Sequence, residues 1–183
     1  MAGNLYASIR PRSVEDITVN GYRYRIPALP AAAWLDVMLS DIMITEMFTS
    51  LLAPVGHDEH PASQLEEAML FGGMSDEEAR QLVHDIIDIN AARPWYVARR
   101  LIDIAADEVW GDYIRGQIVL HHLDASSISL AAWLDAVYAI LTTGLSAEKR
   151  QQFDIQLSSP PAGEQMSTEA RKRNMAALRS LGG

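Results

Sequence analysis

Apolar residues recur at intervals of three and four positions in three stretches of the chain, the spacing that places them on one face of an α-helix. The three stripes consist of Ala79, Leu82, Val83, Ile86 and Ile87; of Ala98, Leu101, Ile102, Ala105 and Val109; and of Leu130, Trp133, Leu134, Val137 and Leu141. We expect each stripe to form the buried face of a helix, because one face of a surface helix packs against the core.

Serine residues predict where several of the helices begin. Ser75 is followed three positions later by Glu78, which fits a capping box, in which the serine and glutamate side chains each accept a backbone N–H of the first turn. Ser129 and Ser146 precede two later helical segments in the same way, and Gly144 predicts the end of the first of these. These residues bound two helices near the end of the chain.

The region between these capped segments has a less regular pattern. Pro94 suits the first turn of a helix whose stripe runs to Val109. Gly111 and Gly116 then mark a weaker helical segment that reaches Leu123. We expect two helices here, with their boundary after Val109.

An alternating pattern precedes all of the helices. Residues 16–19 and 22–26 alternate apolar with polar side chains on either side of Asn20-Gly21, the dipeptide that best suits a type I′ turn. Pro27 and Pro30 then end the strand pattern. The sequence therefore predicts a mainly α-helical protein, a single helical domain with an N-terminal β-hairpin. Its predicted parts are an arm and hairpin over residues 1–30, a helical body over 31–161 and a basic tail over 162–183.

The charge is unevenly distributed over the 183 residues. The formal net charge is −9, yet residues 1–30 and 164–183 each contain four basic and two acidic side chains, so residues 31–163 carry −13. This excess of negative charge repels phosphate backbones and argues against a nucleic-acid partner. An acidic body between basic ends either supports head-to-tail self-association or is simply a solvated surface.

Composition also restricts the location of the protein. The chain has no cysteine, which excludes disulfides, thiolate metal sites and cysteine nucleophiles. The first residues lack the apolar core of a signal peptide. The most apolar stretch, residues 31–53, contains Asp36, Asp41 and Glu46, which argue against a membrane span. We therefore expect a cytoplasmic protein without a membrane partner.

Two histidine clusters are the candidate metal sites. His57-Asp58-Glu59-His60 gathers ligand types that suit zinc or manganese in one loop, and His121-His122 with Asp124 is a second such group. The alternatives are an exposed polar loop and a helix end at which histidine suits the helix dipole. Neither group is a complete ligand set, and the sequence contains no catalytic motif. We predict no catalytic residues, no metal and no cofactor.

Methionine is concentrated in one region and suggests a binding surface. Five of the eight methionines lie within 37 residues, at positions 38, 43, 47, 69 and 74. Unbranched thioethers repack readily against different apolar partners, but they also fill gaps in ordinary helical cores. The candidate partner-binding residues are Met38, Met43, Met47, Phe48 and Leu51.

A five-residue sequence occurs twice. Ala32-Ala-Trp-Leu-Asp36 recurs 99 residues later as Ala131-Ala-Trp-Leu-Asp135. The repeat does not establish a duplication, because two tryptophans that anchor the core in the same way explain it equally well.

The order of these segments resembles a known family. It comprises Val19-Asn-Gly-Tyr-Arg-Tyr-Arg-Ile-Pro27, the tryptophan segment 31–35, and the late segments 133–138 and 153–157 followed by Pro160-Pro161. This pattern is similar to the tail assembly chaperones of long-tailed bacteriophages, especially those of actinobacteria. It covers most of residues 17–161 as a succession of elements without a catalytic motif.

The resemblance implies a non-enzymatic, mostly helical protein of the host cytoplasm. Members of that family coat the tape-measure protein, keep it soluble and help tail-tube subunits to polymerise around it, and a frameshift often produces a longer form. The expected partners are thus the tape-measure protein, tail-tube subunits and further copies of this chain. Two alternatives remain: a structural head–tail or tail component of the virion, and a small metal-dependent enzyme that uses the His57/His60 loop.

Overall fold

The fold is mainly α-helical. The computed structural model describes residues 11, 14–19, 22–26, 28–39, 53–54 and 75–161. This described part contains six helices: α1 (Ala31–Leu39), α2 (Asp76–Ala91), α3 (Trp95–Ala106), α4 (Glu108–Leu120), α5 (Leu130–Thr142) and α6 (Ala147–Ser158). The helical part of the predicted fold class is therefore confirmed.

Three short strands form an antiparallel sheet in the order β1-β2-β3. They are β1 (Val14–Val19), β2 (Tyr22–Ile26) and β3 (Ala53–Pro54). Val19 pairs with Tyr22 across the first two strands, and an irregularity in the register lies nearer the start of β1. The turn residues Asn20 and Gly21 lie outside the described residues, so the β-hairpin stays a prediction.

The chain divides into two compact units, residues 1–144 and 145–183. In the first unit, α3 and α5 are central, because each packs against the other and against α1, α2 and α4. The largest fully buried side chains come from these helices: Trp34, Ile86, Leu101, Ile102, Ile114, Leu130, Leu134 and Val137. In the second unit, α6 begins after its cap Ser146 and buries Leu157. The three predicted domain ranges stay a prediction.

Most members of the predicted stripes are buried. In α2, α3 and α5 the stripes supply the core, while Leu82, Ala105 and Leu141 are only half-buried. Ile140 is buried beside Leu141, so the inner face of α5 is rotated slightly from the predicted one. Both tryptophans of the repeated sequence, Trp34 and Trp133, are buried in helices that pack against each other.

The predicted serine caps are confirmed. The Ser75 hydroxyl accepts the Glu78 N–H at 3.3 Å, and a Glu78 carboxylate oxygen accepts the Ser75 N–H at 2.8 Å, which completes the capping box. The Ser75 N–H, together with the Ser75 hydroxyl, which donates to the same carboxylate oxygen at 2.8 Å, lowers the pKa of Glu78. Ser129 and Ser146 cap α5 and α6 by accepting one N–H each from the first turn.

The predicted boundary between the third and fourth helices is wrong. Helix α3 ends at Ala106 and not at Val109. Asp107 is the C-cap residue of α3 and immediately precedes α4. Its N–H donates to the Ile104 carbonyl, and its carboxylate accepts the Trp110 N–H at 3.3 Å.

The close contact between α3 and α4 favours a glycine. A Cβ atom at Gly111 would lie 3.1 Å from the Ala105 carbonyl oxygen, so a larger residue would need the end of α3 to give way by a few tenths of an ångström. Gly111 is therefore part of the tight corner and does not mark the beginning of a weak helix.

Candidate functional site

The end of α1 is where the candidate partner-binding segment begins. Met38 is only 3% exposed, whereas its neighbour Leu39 is 46% exposed. The Arg99 guanidinium of α3 donates a hydrogen bond to the backbone carbonyl of Met38, which holds this end of α1 against α3. Arg99 also pairs with Asp103 one turn along its own helix, at 2.8 Å.

Met38 is thus a core residue in the structure, and its side chain does not reach the surface. The other four candidates, Met43, Met47, Phe48 and Leu51, lie outside the described residues. A binding role for this segment therefore stays a prediction, and Leu39 is the described apolar side chain next to it that solvent reaches. The sequence did not distinguish Met38 from Leu39, because α1 is apolar on several sides.

The beginning of α1 is joined to the turn before α5. The Ala31 N–H donates to the Ile128 carbonyl at 2.8 Å, and the Ala32 N–H donates to the Ala125 carbonyl at 2.9 Å. The first N–H groups of a helix have no partner within the helix, so this turn supplies acceptors that α1 itself cannot. Two segments almost a hundred residues apart thereby become one packed unit.

The connection between α2 and α3 is held by charged side chains. The Asp88 carboxylate accepts the Trp95 N–H, which caps α3 at a position where Pro94 cannot. Arg93 is mostly buried, forms an ion pair with Asp135 of α5, and donates from Nε to the Ala91 carbonyl at 3.2 Å. These contacts fix the angle between the two helices.

A row of aromatic and cationic side chains lies along this connection, and the sequence patterns did not indicate it. The His84 ring stacks on the Trp95 ring, with 3.9 Å between centroids and 7° between planes. Tyr96 meets Trp95 edge-on, and the Arg100 guanidinium lies 5.9 Å from the centre of the Tyr96 ring. The row is half-buried and packs α2 against α3. His84 and Trp95 lie on different helices, so the pattern of residues within one helix could not predict their contact.

The residues of the second histidine cluster are not gathered into a group of metal ligands in the described part of the chain. His121 and His122 directly follow α4 and are exposed, and His122 has a left-handed backbone. Asp124 instead accepts hydrogen bonds from the Ser126 hydroxyl at 2.7 Å and from the Ser126 N–H at 2.9 Å, which lower its pKa. Among the described residues, no three histidine or acidic side chains are grouped so as to hold a metal ion.

The first cluster cannot be placed in the same way. His57 and His60, with the two acids between them, lie outside the described residues. The prediction that this loop holds no metal therefore stays a prediction.

The outward side of α4 is unusually apolar. Trp110, Tyr113 and Leu120 are all exposed, and the Trp110 and Tyr113 rings meet edge-on at 6.5 Å. The inner side of the same helix is also apolar, with Gly111 and Ile114 buried. The glycines of this segment predicted only a weak helix, and its second apolar face was not predicted, although the spacing of the aromatic residues is present in the sequence.

Comparison with known proteins found no matching family model, no matching curated protein and no matching solved structure. In the part of the chain that the structure describes, no helix has both the length and the apolar character needed to cross a bilayer.

Proposed function

We propose that this protein is a non-enzymatic phage tail assembly chaperone that acts in the host cytoplasm. It binds the tape-measure protein, keeps it soluble and assists tail-tube subunits to polymerise around it. The observation that carries the proposal is the resemblance in element order over residues 17–161, in which strands, a tryptophan helix and a second tryptophan helix follow one another. We propose that the two N-terminal strands are joined as a β-hairpin by Asn20-Gly21.

The helical body and its charge support this proposal. Residues 75–144 contain eleven acidic and five basic side chains. A protein that covers a long apolar helical partner needs outward-facing charge to keep the complex in solution, and this excess of acids supplies it. A few of the charged side chains also hold helices together, such as Asp88 with the Trp95 N–H and Arg93 with Asp135.

We place the partner-binding surface on the apolar segment that begins at Leu39 and includes Met43, Met47, Phe48 and Leu51. The buried Met38 anchors that segment to the core, because its side chain lies inside and its carbonyl is bound by Arg99. Adaptable methionines on such a surface suit a helical partner whose sequence varies along its length.

A glutamate scan over residues 38–51 tests the proposal, with circular dichroism and pull-down of the tape-measure protein from the neighbouring gene as the two measurements. Met38→Glu should unfold the protein, because a charge buried without a partner is strongly destabilising. Leu39→Glu, on the adjacent and exposed residue, should keep the helical spectrum and the stability. Replacements of Met43, Met47, Phe48 and Leu51 should keep the helical spectrum and abolish the pull-down.

Two results would contradict the proposal. Wild-type protein that does not bind the tape-measure protein would exclude the chaperone function. Loss of binding only where the fold is also lost would show that the segment is core.

The alternatives have their own tests: recovery of the protein from mature particles would indicate a structural virion component. Stoichiometric metal in untagged protein, lost on changing His57 and His60 to alanine, would indicate an enzyme.

A further inference from the structure

Helix α4 has two apolar faces, and among the described residues only one of them packs in a core. The inner face contains Gly111 and Ile114, which pack towards α3 and α5. The outer face contains Trp110, Tyr113 and Leu120, which are exposed to solvent. Large aromatic side chains are rarely exposed in a row without a binding role, since such apolar surface gains free energy when a partner covers it.

The spacing of the outer face indicates what kind of element covers it. Successive residues of this face are separated by three, four and three positions: Trp110, Tyr113, Gln117 and Leu120. This is the spacing of the residues that form the seam of a coiled coil, here with one polar residue. In such a seam, residues i, i+3, i+4 and i+7 surround a hole that receives a side chain of the facing helix. In α4 the residues around this hole are Tyr113, Gly116, Gln117 and Leu120. The face therefore fits another α-helix.

Gly116 is a second observation that favours a close partner. Apart from its chain neighbours and the backbone of its own helix, no heavy atom of the described residues lies within 4 Å of the position that its Cβ would occupy, so nothing in this part of the chain requires a glycine. A glycine inside a helix is destabilising by about 1 kcal/mol relative to alanine. A helix that crosses α4 at Gly116 would approach its backbone closely, and this contact would account for the residue.

We infer that the outer face of α4 binds the same face of a second copy of this chain, with the two helices antiparallel. In this register Trp110 lies opposite Leu120 of the second copy. Tyr113 lies opposite the second copy's Gln117, whose amide suits the phenol as a hydrogen-bond partner. The seam is thus complementary to itself, as a two-fold symmetric interface must be.

The acidic residues at the beginning of α4 also favour the antiparallel arrangement. Asp107 and Glu108 lie at the beginning of the helix, while its end carries His121 and His122 and no acid. An antiparallel pair brings the acidic beginning of one helix beside the histidine-bearing end of the other, whereas a parallel pair would bring the acids together. The helix dipoles are also opposed in the antiparallel pair.

Dimerisation through this face does not require α4 to become helical first. A short isolated helix is marginal in water, but α4 is already held by its contacts with α3 and α5. A four-residue seam on a helix of thirteen residues can therefore support a weak and reversible dimer. This inference is independent of the proposed function, because it concerns contacts between copies and does not involve the segment 39–51.

The first test compares two neighbouring residues by sedimentation across a concentration series. Leu120 lies in the seam and is 67% exposed, whereas Val119 lies beside it, outside the seam, and is 73% exposed. Leu120→Glu should raise the dissociation constant of the dimer by about tenfold or more, because it puts a charge into the apolar seam. Val119→Glu should leave the dissociation constant nearly unchanged. Both variants should keep the wild-type thermal stability at concentrations where the protein is monomeric.

A second test uses the absence of cysteine from the chain to determine the orientation. Tyr113→Cys and Gln117→Cys are prepared as separate proteins, mixed and oxidised. An antiparallel seam should cross-link the two different variants to each other in preference to copies of the same variant, because residue 113 faces residue 117 of the second copy. Val119→Cys is the control and should cross-link poorly.

Four results would overturn the inference. They are a wild-type protein that stays monomeric throughout the series, equal effects of the two glutamate variants, a dimer unaffected by Leu120→Glu, and cross-linking only between copies of the same variant. A monomeric protein that binds the tape-measure protein through α4, and loses that binding in Leu120→Glu, would show a different occupant of this face and would equally overturn the inference.

Discussion

The backbone N–H of Ala31 donates to the carbonyl of Ile128 at 2.8 Å, so the first residue of α1 depends on the turn that leads into α5. Ala31 is fully buried at this contact. The bond joins the two segments that share the sequence Ala-Ala-Trp-Leu-Asp, and each contributes a buried tryptophan. The beginning of α1 is therefore specified by a distant part of the chain.

Ala31→Pro should destabilise the protein, although proline is normally well suited to the first position of a helix. The substitution removes the N–H that Ile128 accepts and adds a ring in a buried place. The loss of this hydrogen bond to the half-buried Ile128 alone should reduce the free energy of unfolding by about 0.5–1.5 kcal/mol. Ala147→Pro is the matched control, because Ala147 is the exposed first residue of α6. Denaturant unfolding of both variants measures the difference, and equal stabilities would contradict the role of the Ala31 bond.

Two isoleucines of α2 provide a direct test of its inner face. Ile86 is 2% exposed and Ile89 is 48% exposed on the same helix. Ile86→Ala should lower the free energy of unfolding by about 2–5 kcal/mol, because removal of the buried side-chain carbons leaves a cavity. Ile89→Ala should change it by about 0.5 kcal/mol or less. A large effect at Ile89 would mean that the outer side of α2 is covered as well.

Arg99 should stabilise the protein through the Met38 carbonyl more than through its ion pair. Arg99→Gln removes both interactions, and the loss of a hydrogen bond from a charged donor should lower the free energy of unfolding by about 1.5–3 kcal/mol. Asp103→Asn removes only the exposed ion pair and should have an effect below about 0.5 kcal/mol. Thermal unfolding of the two variants compares them. Equal losses would show that the ion pair is the more important contact.

Local signals in the sequence predicted the helices that begin with a serine cap. Ser75, Ser129 and Ser146 each cap the helix expected of them, because capping depends on residues within one turn. The boundary at Asp107 was missed for the opposite reason. The apolar stripe of α3 continues in phase to Val109, and only the side chain of Asp107, which binds the first turn of α4, shows where the chain changes direction.

Contacts between helices could not be predicted in the same way. Met38 is buried and Leu39 is exposed because of how α1 packs against α3, where Arg99 binds the Met38 carbonyl. The pattern of residues within α1 does not reveal the position of α3. The outer face of α4 is different, because its seam is visible in the sequence. The inner stripe could not be distinguished from the outer stripe until the packing of Ile114 showed which face is buried. Sequence periodicity indicates that a face is apolar, but it does not say which partner covers it.

Asp124 connects the turn before α5 to the pH dependence of the protein. Its carboxylate accepts the Ser126 hydroxyl at 2.7 Å and the Ser126 N–H at 2.9 Å, which stabilise the charged form and hold the pKa below the ordinary value of 3.8. A carboxyl whose pKa is lower in the folded than in the unfolded protein contributes stability above the unfolded value. This contribution is lost as the pH falls through the folded pKa.

Ser126→Ala should therefore raise the pKa of Asp124 towards 3.8, because the Ser126 hydroxyl is the largest cause of the shift, while the Ser126 N–H and the Ser127 side chain remain. Titration of the Asp124 carboxyl carbon by NMR measures this directly. In unfolding experiments, Asp124→Asn should be less stable than the wild type at neutral pH, and the difference should shrink as the pH falls through the folded pKa, where the wild-type carboxyl also becomes neutral. An Asp124 that titrates at 3.8 in the wild type would show that the Ser126 bonds do not hold the turn in solution. In that case the carbonyls of Ala125 and Ile128 would have to be positioned for α1 by packing and by the hydrogen bonds that the Ser127 and Ile128 N–H groups donate to the Asp124 carbonyl.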